Sequence, residues 1–196
     1  MASMSPLDRV LADIASTGET PGLFLHCCCA PCASYVLEYL SPFFTITCFF
    51  YNPNITPREE YDKRAGELRK LLDLAEFPNR VDAYFCDYDA GVFQAAAMPY
   101  IDEPEGGRRC TACFELRLRE TAAGAKAGTF DYFCTTLSVS PHKDASVINM
   151  IGAGLALEYG VGYLQADFKK RDGYKRSVEL SKQYGLYRQT YCGCIV

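Results

Sequence analysis

Four cysteines fall within the stretch LHCCCAPC (25–32): Cys27, Cys28, Cys29 and Cys32. Three adjacent thiols are not a packing device, because neighbouring side chains cannot all face one way. Cys110 and Cys113 stand at C-x-x-C spacing in GGRRCTACFELRLRE, and Cys192 and Cys194 form the C-x-C of YCGC near the end of the chain. Thiols at such spacings bind metals, exchange disulfides or carry electrons. With 196 residues, 49% of them hydrophobic, the chain can build a core without disulfide staples. Its 11 cysteines therefore need a chemical reason. The start MASMSPLDRV lacks the apolar run of a secretory signal. The apolar stretches are strand-sized, far below the roughly 20 residues that span a bilayer. The expected setting is cytoplasmic, with no membrane partner. There, clustered cysteines mean metal or redox chemistry.

Cys29 and Cys32 also make a C-x-x-C, with Pro31 at a first-turn position of a helix. Cys110 and Cys113 open another helix after two glycines. At both places free backbone N–H groups and the helix dipole favour thiolates. One zinc ion takes a tetrahedral set of thiolates, commonly from two such pairs. Adjacent ligands diverging at a strand-to-helix turn suit a wider iron–sulfur cofactor better. Spacing favours the cluster and leaves zinc open. Cys48, Cys86 and Cys134 lie in or at the ends of apolar strands and read as small buried hydrophobes. In YCGC, glycine tolerates the dihedrals of a very small disulfide ring. Strained exposed disulfides are labile or catalytic, and the dithiol form would deliver two electrons.

The net charge of −4 does not suggest a general nucleic-acid binder, but the charge is uneven. Segment 168–188 sets seven cations against two acids, +5, leaving −9 for the remainder. Lys169, Lys170, Arg171, Lys175, Arg176 and Arg188 interleave there with Tyr174, Tyr184, Tyr187 and, just beyond, Tyr191. Cations among aromatics suit splayed bases and phosphates of single-stranded RNA. An ordinary solvated helix face with core tyrosines would look similar.

Strand-like and helix-like segments alternate, and these must position the cysteines. Strands are expected at 22–26, 45–52, 80–88, 131–137 and 162–168. Helices are expected at 31–40, from a Thr56-Pro57-x-Glu59 start, up to about 97, at 109–127, up to about 159 and at 174–184. This order predicts one α/β domain with a mostly parallel, Rossmann-like sheet flanked by helices. The domain is placed at 22–196, with 1–21 as an N-terminal extension or helix and the basic segment 168–194 inside it. Sites in such folds gather at the carboxyl ends of strands, where the cysteine run, CDY (86–88) and FKKRDGY (168–174) all fall.

HCCCAPC, FYNPNI, EGGRRC, ACFELRLRETA, TTLSVSPHKD and DFKKRDGYKRSVELSKQYGLYRQTYCGC together resemble the cobalamin-independent, QueH-type epoxyqueuosine reductases, over about 22–194. The resemblance implies an adenine nucleotide alpha hydrolase-like fold. It also implies reduction of epoxyqueuosine at the tRNA wobble position to queuosine, the last step of queuosine synthesis. It implies a 4Fe-4S cluster on Cys28, Cys29, Cys110 and Cys113, and a redox-active disulfide of Cys192 and Cys194. Cys32 is the candidate ligand of an adjacent mononuclear metal, iron or zinc. Cys27 stands where family members often carry an apolar residue and is not assigned. The partners implied are the tRNA anticodon stem-loop and an external electron donor.

Removing an epoxide oxygen as water takes two electrons, two protons and an electrophile on oxygen. Candidate acids near the strand ends are Asp87, Tyr88, Asp167, His26 and His142; His26 reads equally as a satisfied buried histidine. The main alternative is a zinc-stabilised RNA-binding module without catalysis, with a metal-free thiol–disulfide oxidoreductase as another. A tRNA sulfur-transfer enzyme would want a glycine-rich phosphate loop where HCCCAPC stands, and that stretch has no glycine.

Overall fold

The computed structural model describes residues 4–194. Five strands, β1 (Gly22–His26), β2 (Thr45–Phe50), β3 (Val81–Phe85), β4 (Tyr132–Thr135) and β5 (Gly162–Tyr163), form one sheet in the order β3-β2-β1-β4-β5. Every pairing is parallel. Among the described residues, helices α1 (Pro6–Thr17), α2 (Ala30–Leu40), α3 (Arg58–Leu74), α4 (Ala90–Ala97), α5 (Arg108–Ala127), α6 (Ala145–Tyr159) and α7 (Gly173–Gln183) flank it. The Rossmann-like α/β expectation is met.

Side chains alternate across the strands, so each face has its own core. Leu23, Leu25, Ile46, Cys48 and Phe50 pack under α2 and α3. Phe24, Phe49 and Phe133 pack against Leu118 and Ala122 of α5 and Ile148 and Leu155 of α6. The α1 segment is amphipathic: Leu7, Leu11 and Ile14 join the first core. Its start is held by a capping box, in which Ser5 and Asp8 satisfy each other's backbone N–H.

Strands end earlier than their hydrophobic patterns suggest, because side chains take over the ladder. β5 stops at Tyr163 rather than 168. Leu164 N still donates to Phe133 O, but Ala166 is then paired through both backbone groups with the Asn149 amide, each at 3.2 Å. β4 stops at Thr135, whose hydroxyl accepts from Leu137 N at 3.1 Å and opens a 3-10 turn over Thr136–Val139. β2 gives way to Asn52, which donates to Cys27 O at 2.9 Å. The expected Thr56 cap does not form. Pro57 is the N-cap, the Thr56–Pro57 peptide is cis, and Thr56 N donates instead to Gly193 O at 2.9 Å.

The chain runs outward from β1 through β2 to β3, then crosses back to β4 and β5. The neighbours β1 and β4 therefore frame the topological switch point, where a crevice opens beyond the strand ends.

Candidate active site

The cysteine run leaves β1 at this switch point. Cys27 N extends the ladder to Phe49 O at 2.9 Å, and its thiol points into the core, donating to Leu25 O. It is fully buried and packs as a hydrophobe. Cys28 turns into the crevice: its N–H donates to Thr136 Oγ1 at 3.1 Å, and the Thr136 hydroxyl donates to its sulfur at 3.4 Å. Cys29 is the N-cap of α2, and Cys32 lies in the first turn. The sulfurs of Cys28, Cys29 and Cys32 lie within 4.8 Å of one another. Cys28 and Cys29 Sγ are 3.8 Å apart, close to the edge of a sulfur tetrahedron with metal–sulfur bonds of about 2.3 Å. These three residues can hold a metal.

Electrostatics make Cys28 the anion of the group. Hydrogen bonds with the Cys29 and then the Cys32 thiol hold its thiol well below the usual range, with Lys143 and Thr136 adding to this. The same bond to Cys28 pushes Cys29 up to about 11. Away from the crevice, burial pushes Cys134 up to about 12 and Cys86 up to about 11. These are inert thiols, as their strand positions suggest.

His26 buttresses the turn. Its Nε2 lies 3.1 Å from Tyr51 O, which only accepts, so Nε2 carries the proton. Nδ1 lies 2.9 Å from the Thr135 hydroxyl, which then donates to it. Burial lowers its pKa to about 4, leaving a neutral imidazole at neutral pH. It is the satisfied histidine. Of the other candidate acids, Asp167 sits 2.9 Å from Lys169, and His142 lines the crevice.

Two cations that the sequence reading does not single out face the sulfurs. Arg117, on α5, is 2% exposed and fills the crevice wall. Its Nε donates to Cys113 O at 3.1 Å, while its Nη2 has no partner among the described residues. It makes no ion pair with any described carboxylate. Burial alone would push its guanidinium down; the sulfurs of Cys113, Cys192 and Cys28 outweigh that and hold it above its usual value. Lys143 lines the same wall. Burial alone would push its ammonium down; the sulfurs of Cys28, Cys192 and Cys32 outweigh that and hold it above its usual value. The donor set thus fits an anionic, thiolate-bound group.

The C-terminal segment closes the crevice. Arg64, paired with Glu60 at 2.7 Å and 3% exposed, donates through Nη1 to Cys192 O at 2.9 Å. Gly193 holds φ at +102°, and a side chain there would meet the Arg64 guanidinium at 3.0 Å. A hydrogen bond with the Cys194 thiol lowers Cys192 to about 5, with Lys143 and Arg117 adding to this after the opposing effect of burial. Cys194 packs beside Cys113, Phe93 and Ala97. Cys113 is buried in the first turns of α5, where burial pushes its thiol up. Cys110 Sγ accepts from Gly106 N at 3.2 Å. Neither joins the tight Cys28–Cys29–Cys32 group.

The basic residues divide. Tyr174 and Arg188 line the crevice, with the Arg188 guanidinium 5.6 Å from the Tyr174 ring centre. Lys175 is exposed at the start of α7. Lys169 and Lys170 are paired with Asp167, Arg171 with Asp8 at 2.6 Å, and Arg176 with Glu38 at 2.6 Å. Much of the positive charge read from sequence is therefore balanced locally.

Cys28, Cys29, Cys32, Arg117, Lys143, Arg188 and the Cys192–Cys194 tail line one cavity of about 860 Å³, whereas Cys110 and Cys113 do not; it is large enough for a nucleoside. No described helix is long and apolar enough to cross a membrane.

A protein-family model described as epoxyqueuosine reductase QueH matches residues 23–196. The chain is 41% identical to the epoxyqueuosine reductase QueH of Streptococcus pyogenes, over all of this chain and 81% of the relative. It is 41% identical to that of Staphylococcus epidermidis, over 96% of this chain and 82% of the relative. For the Thermotoga maritima protein of the same name the identity is 35%, over 88% of each chain.

Proposed function

The chain belongs to the QueH family of epoxyqueuosine reductases, and we propose that it performs this reduction in the cavity between β1 and β4, on a tRNA anticodon stem-loop. It is an oxidoreductase of tRNA modification, which removes the non-catalytic zinc module from consideration. One observation carries the placement: the Cys28–Cys29–Cys32 sulfurs, two cations without an acidic partner among the described residues and the Cys192–Cys194 tail converge on a single cavity.

In this reading a 4Fe-4S cluster is held by Cys28, Cys29, Cys110 and Cys113, and Cys32 helps hold an adjacent mononuclear iron or zinc. Support comes from the donor chemistry and from Arg117, a buried cation awaiting an anion. Bound there, such a centre supplies single electrons and a Lewis acid for the epoxide oxygen.

The chain's own residues do the rest. Epoxide reduction to an alkene and water consumes two electrons and two protons. Oxidation of the Cys192 and Cys194 thiols to a disulfide releases the same number of each. An external donor then returns the pair to dithiols. Arg64 holds the Cys192 backbone, so the pair stays at the cavity wall. Lys143 places an ammonium among the sulfurs, and His142 is the member of the candidate acids that faces the cavity. Tyr174 and Tyr191, 43% and 47% exposed, offer stacking faces at the rim. Arg188 and Lys175 meet phosphates directly, and Lys169, Lys170, Arg171 and Arg176 add a field weakened by their acidic partners. In this reading residues 22–196, of which 195 and 196 lie outside the described residues, make up the catalytic domain of a cytoplasmic enzyme, with α1 as an extension.

Anaerobic preparation followed by iron, sulfide and zinc analysis tests the cofactor. Iron with matching sulfide and a charge-transfer absorption band is expected. Zinc without iron in protein reconstituted with both would refute the cluster.

A further inference from the structure

Five buried side-chain atoms without a hydrogen-bond partner among the described residues line the cysteine cavity. They divide by polarity. Arg109 Nε and Arg117 Nη2 are cationic donors, suited to an anionic thiolate centre. Asn52 Oδ1, Asn54 Oδ1 and Gln189 Oε1 are acceptors, and acceptors gain nothing beside an anion. Buried acceptors left without donors are rare, because their lost hydration goes uncompensated. Three in one cavity call for a ligand that brings donors.

The direction of Asn52 is fixed. Its Nδ2 donates to Cys27 O, which can only accept, so Oδ1 is the free acceptor of the amide; it lies toward the His26 ring, while the residue lines the cavity. Asn52 and Asn54 are 1% and 2% exposed, so neither has bulk water to turn to. The loop that carries them is tied to the C-terminal tail by Thr56 N to Gly193 O, and Gln189 lies on that tail. The three amides therefore belong to one wall built from two joined segments.

The reactant of an epoxyqueuosine reductase is a nucleoside with a deazaguanine base. A guanine-type Watson–Crick edge sets a ring N–H beside an exocyclic amine, two adjacent groups that only donate. Adenine and cytosine set a donor beside an acceptor, and uracil has one N–H between two carbonyls. Hydroxyls both donate and accept, so they do not require an acceptor wall. Enzymes that work on an extruded base read this edge.

We propose that Asn52, Asn54 and Gln189 receive the N–H donors of the flipped-out guanine-type base and so determine specificity for it. The inference rests on the assignment of this cavity as the reductase site. Anticodon stem-loops with guanosine or inosine at the wobble position differ only in the exocyclic amine. Their affinities for the anaerobically prepared holoenzyme can be read by fluorescence anisotropy. Guanosine should bind about tenfold more tightly, since inosine leaves a buried acceptor unsatisfied. Gln189→Leu and Asn54→Leu should shrink that preference, and Gln189→Glu, which keeps an acceptor, should retain it. Equal binding of both stem-loops by the unsubstituted enzyme overturns the proposal, and needs no variant to fold. A folded Gln189→Leu enzyme with the full preference also overturns it. Reduction of epoxyqueuosine without guanosine preference defeats this inference alone. Absence of reduction by iron-loaded enzyme defeats the functional assignment instead.

Discussion

Arg64 Nη1 donates to the Cys192 carbonyl at 2.9 Å, while the same guanidinium is paired with Glu60 at 2.7 Å. A buried ion pair on α3 thus helps hold the backbone of the tail, together with Thr56 N to Gly193 O. Arg64→Met leaves the Glu60 carboxylate buried and unpaired, and should cost about 3–5 kcal/mol of stability. Glu60→Met with Arg64→Met should recover most of the melting temperature but not the anchorage. Alkylation of Cys194 in reduced protein, followed by mass spectrometry, should then be faster than in the parent. Parental alkylation in the double variant would show that the tail does not depend on Arg64.

Arg117 is expected to matter most for retention of metal. In metal-free protein the sulfurs of Cys113, Cys192 and Cys28 outweigh its burial and hold its guanidinium above the usual value. Arg117→Met should therefore not stabilise the metal-free form, and should speed loss of metal to a chelator. Thermal unfolding of both forms and timed iron release measure the two effects.

Cys192→Ser and Cys194→Ser should each keep the bound metal and lose turnover. In the parent enzyme, supplied with no external reductant, two free thiols should disappear for each queuosine formed. Thiol titration alongside nucleoside analysis checks this balance.

The α1 helix is docked by an ion pair that titrates. Hydrogen bonds from Arg171 and then Ser5 lower the Asp8 carboxyl to about 2. A carboxylate depressed on folding adds stability above its unfolded value and loses it as pH falls toward the folded one. The contribution should be complete above about pH 5 and vanish by about pH 1. Asp8→Asn should flatten the melting temperature across that window relative to the parent. Identical profiles would remove Asp8 from the acid response.

Charge reversal should weaken tRNA binding and reduce its salt slope, most strongly at exposed Lys175. Lys169→Glu should do less, because Asp167 already balances that cation at 2.9 Å. Titrations at several salt concentrations separate the two positions.

Sequence patterns carried the parallel α/β sheet and the edge where the site lies, because buried strands announce themselves as short apolar runs between helical periods. They did not carry strand ends. Those are set by Asn149, Thr135 and Asn52 standing in for backbone partners, an exchange invisible to hydrophobicity. Among site residues, cysteine spacing was legible because few other roles need it. Arg117 and Arg64 were not, since each sits in a charged helix whose sequence reads as solvated, and only the tertiary fold buries them. The basic tail illustrates the converse. Its cations were legible, but Asp8, Glu38 and Asp167, which neutralise them, come largely from elsewhere in the chain.

The most direct measurement is a single-turnover assay of anaerobically reconstituted protein on tRNA carrying epoxyqueuosine, with a chemical reductant and nucleoside mass spectrometry. Queuosine should form in proportion to enzyme. It should be lost in Cys28→Ser and retained in Cys27→Ser, since the Cys27 thiol packs in the core. Unchanged epoxyqueuosine with metal-loaded protein, or full activity in Cys28→Ser, would contradict the assignment of this cavity as the reducing site.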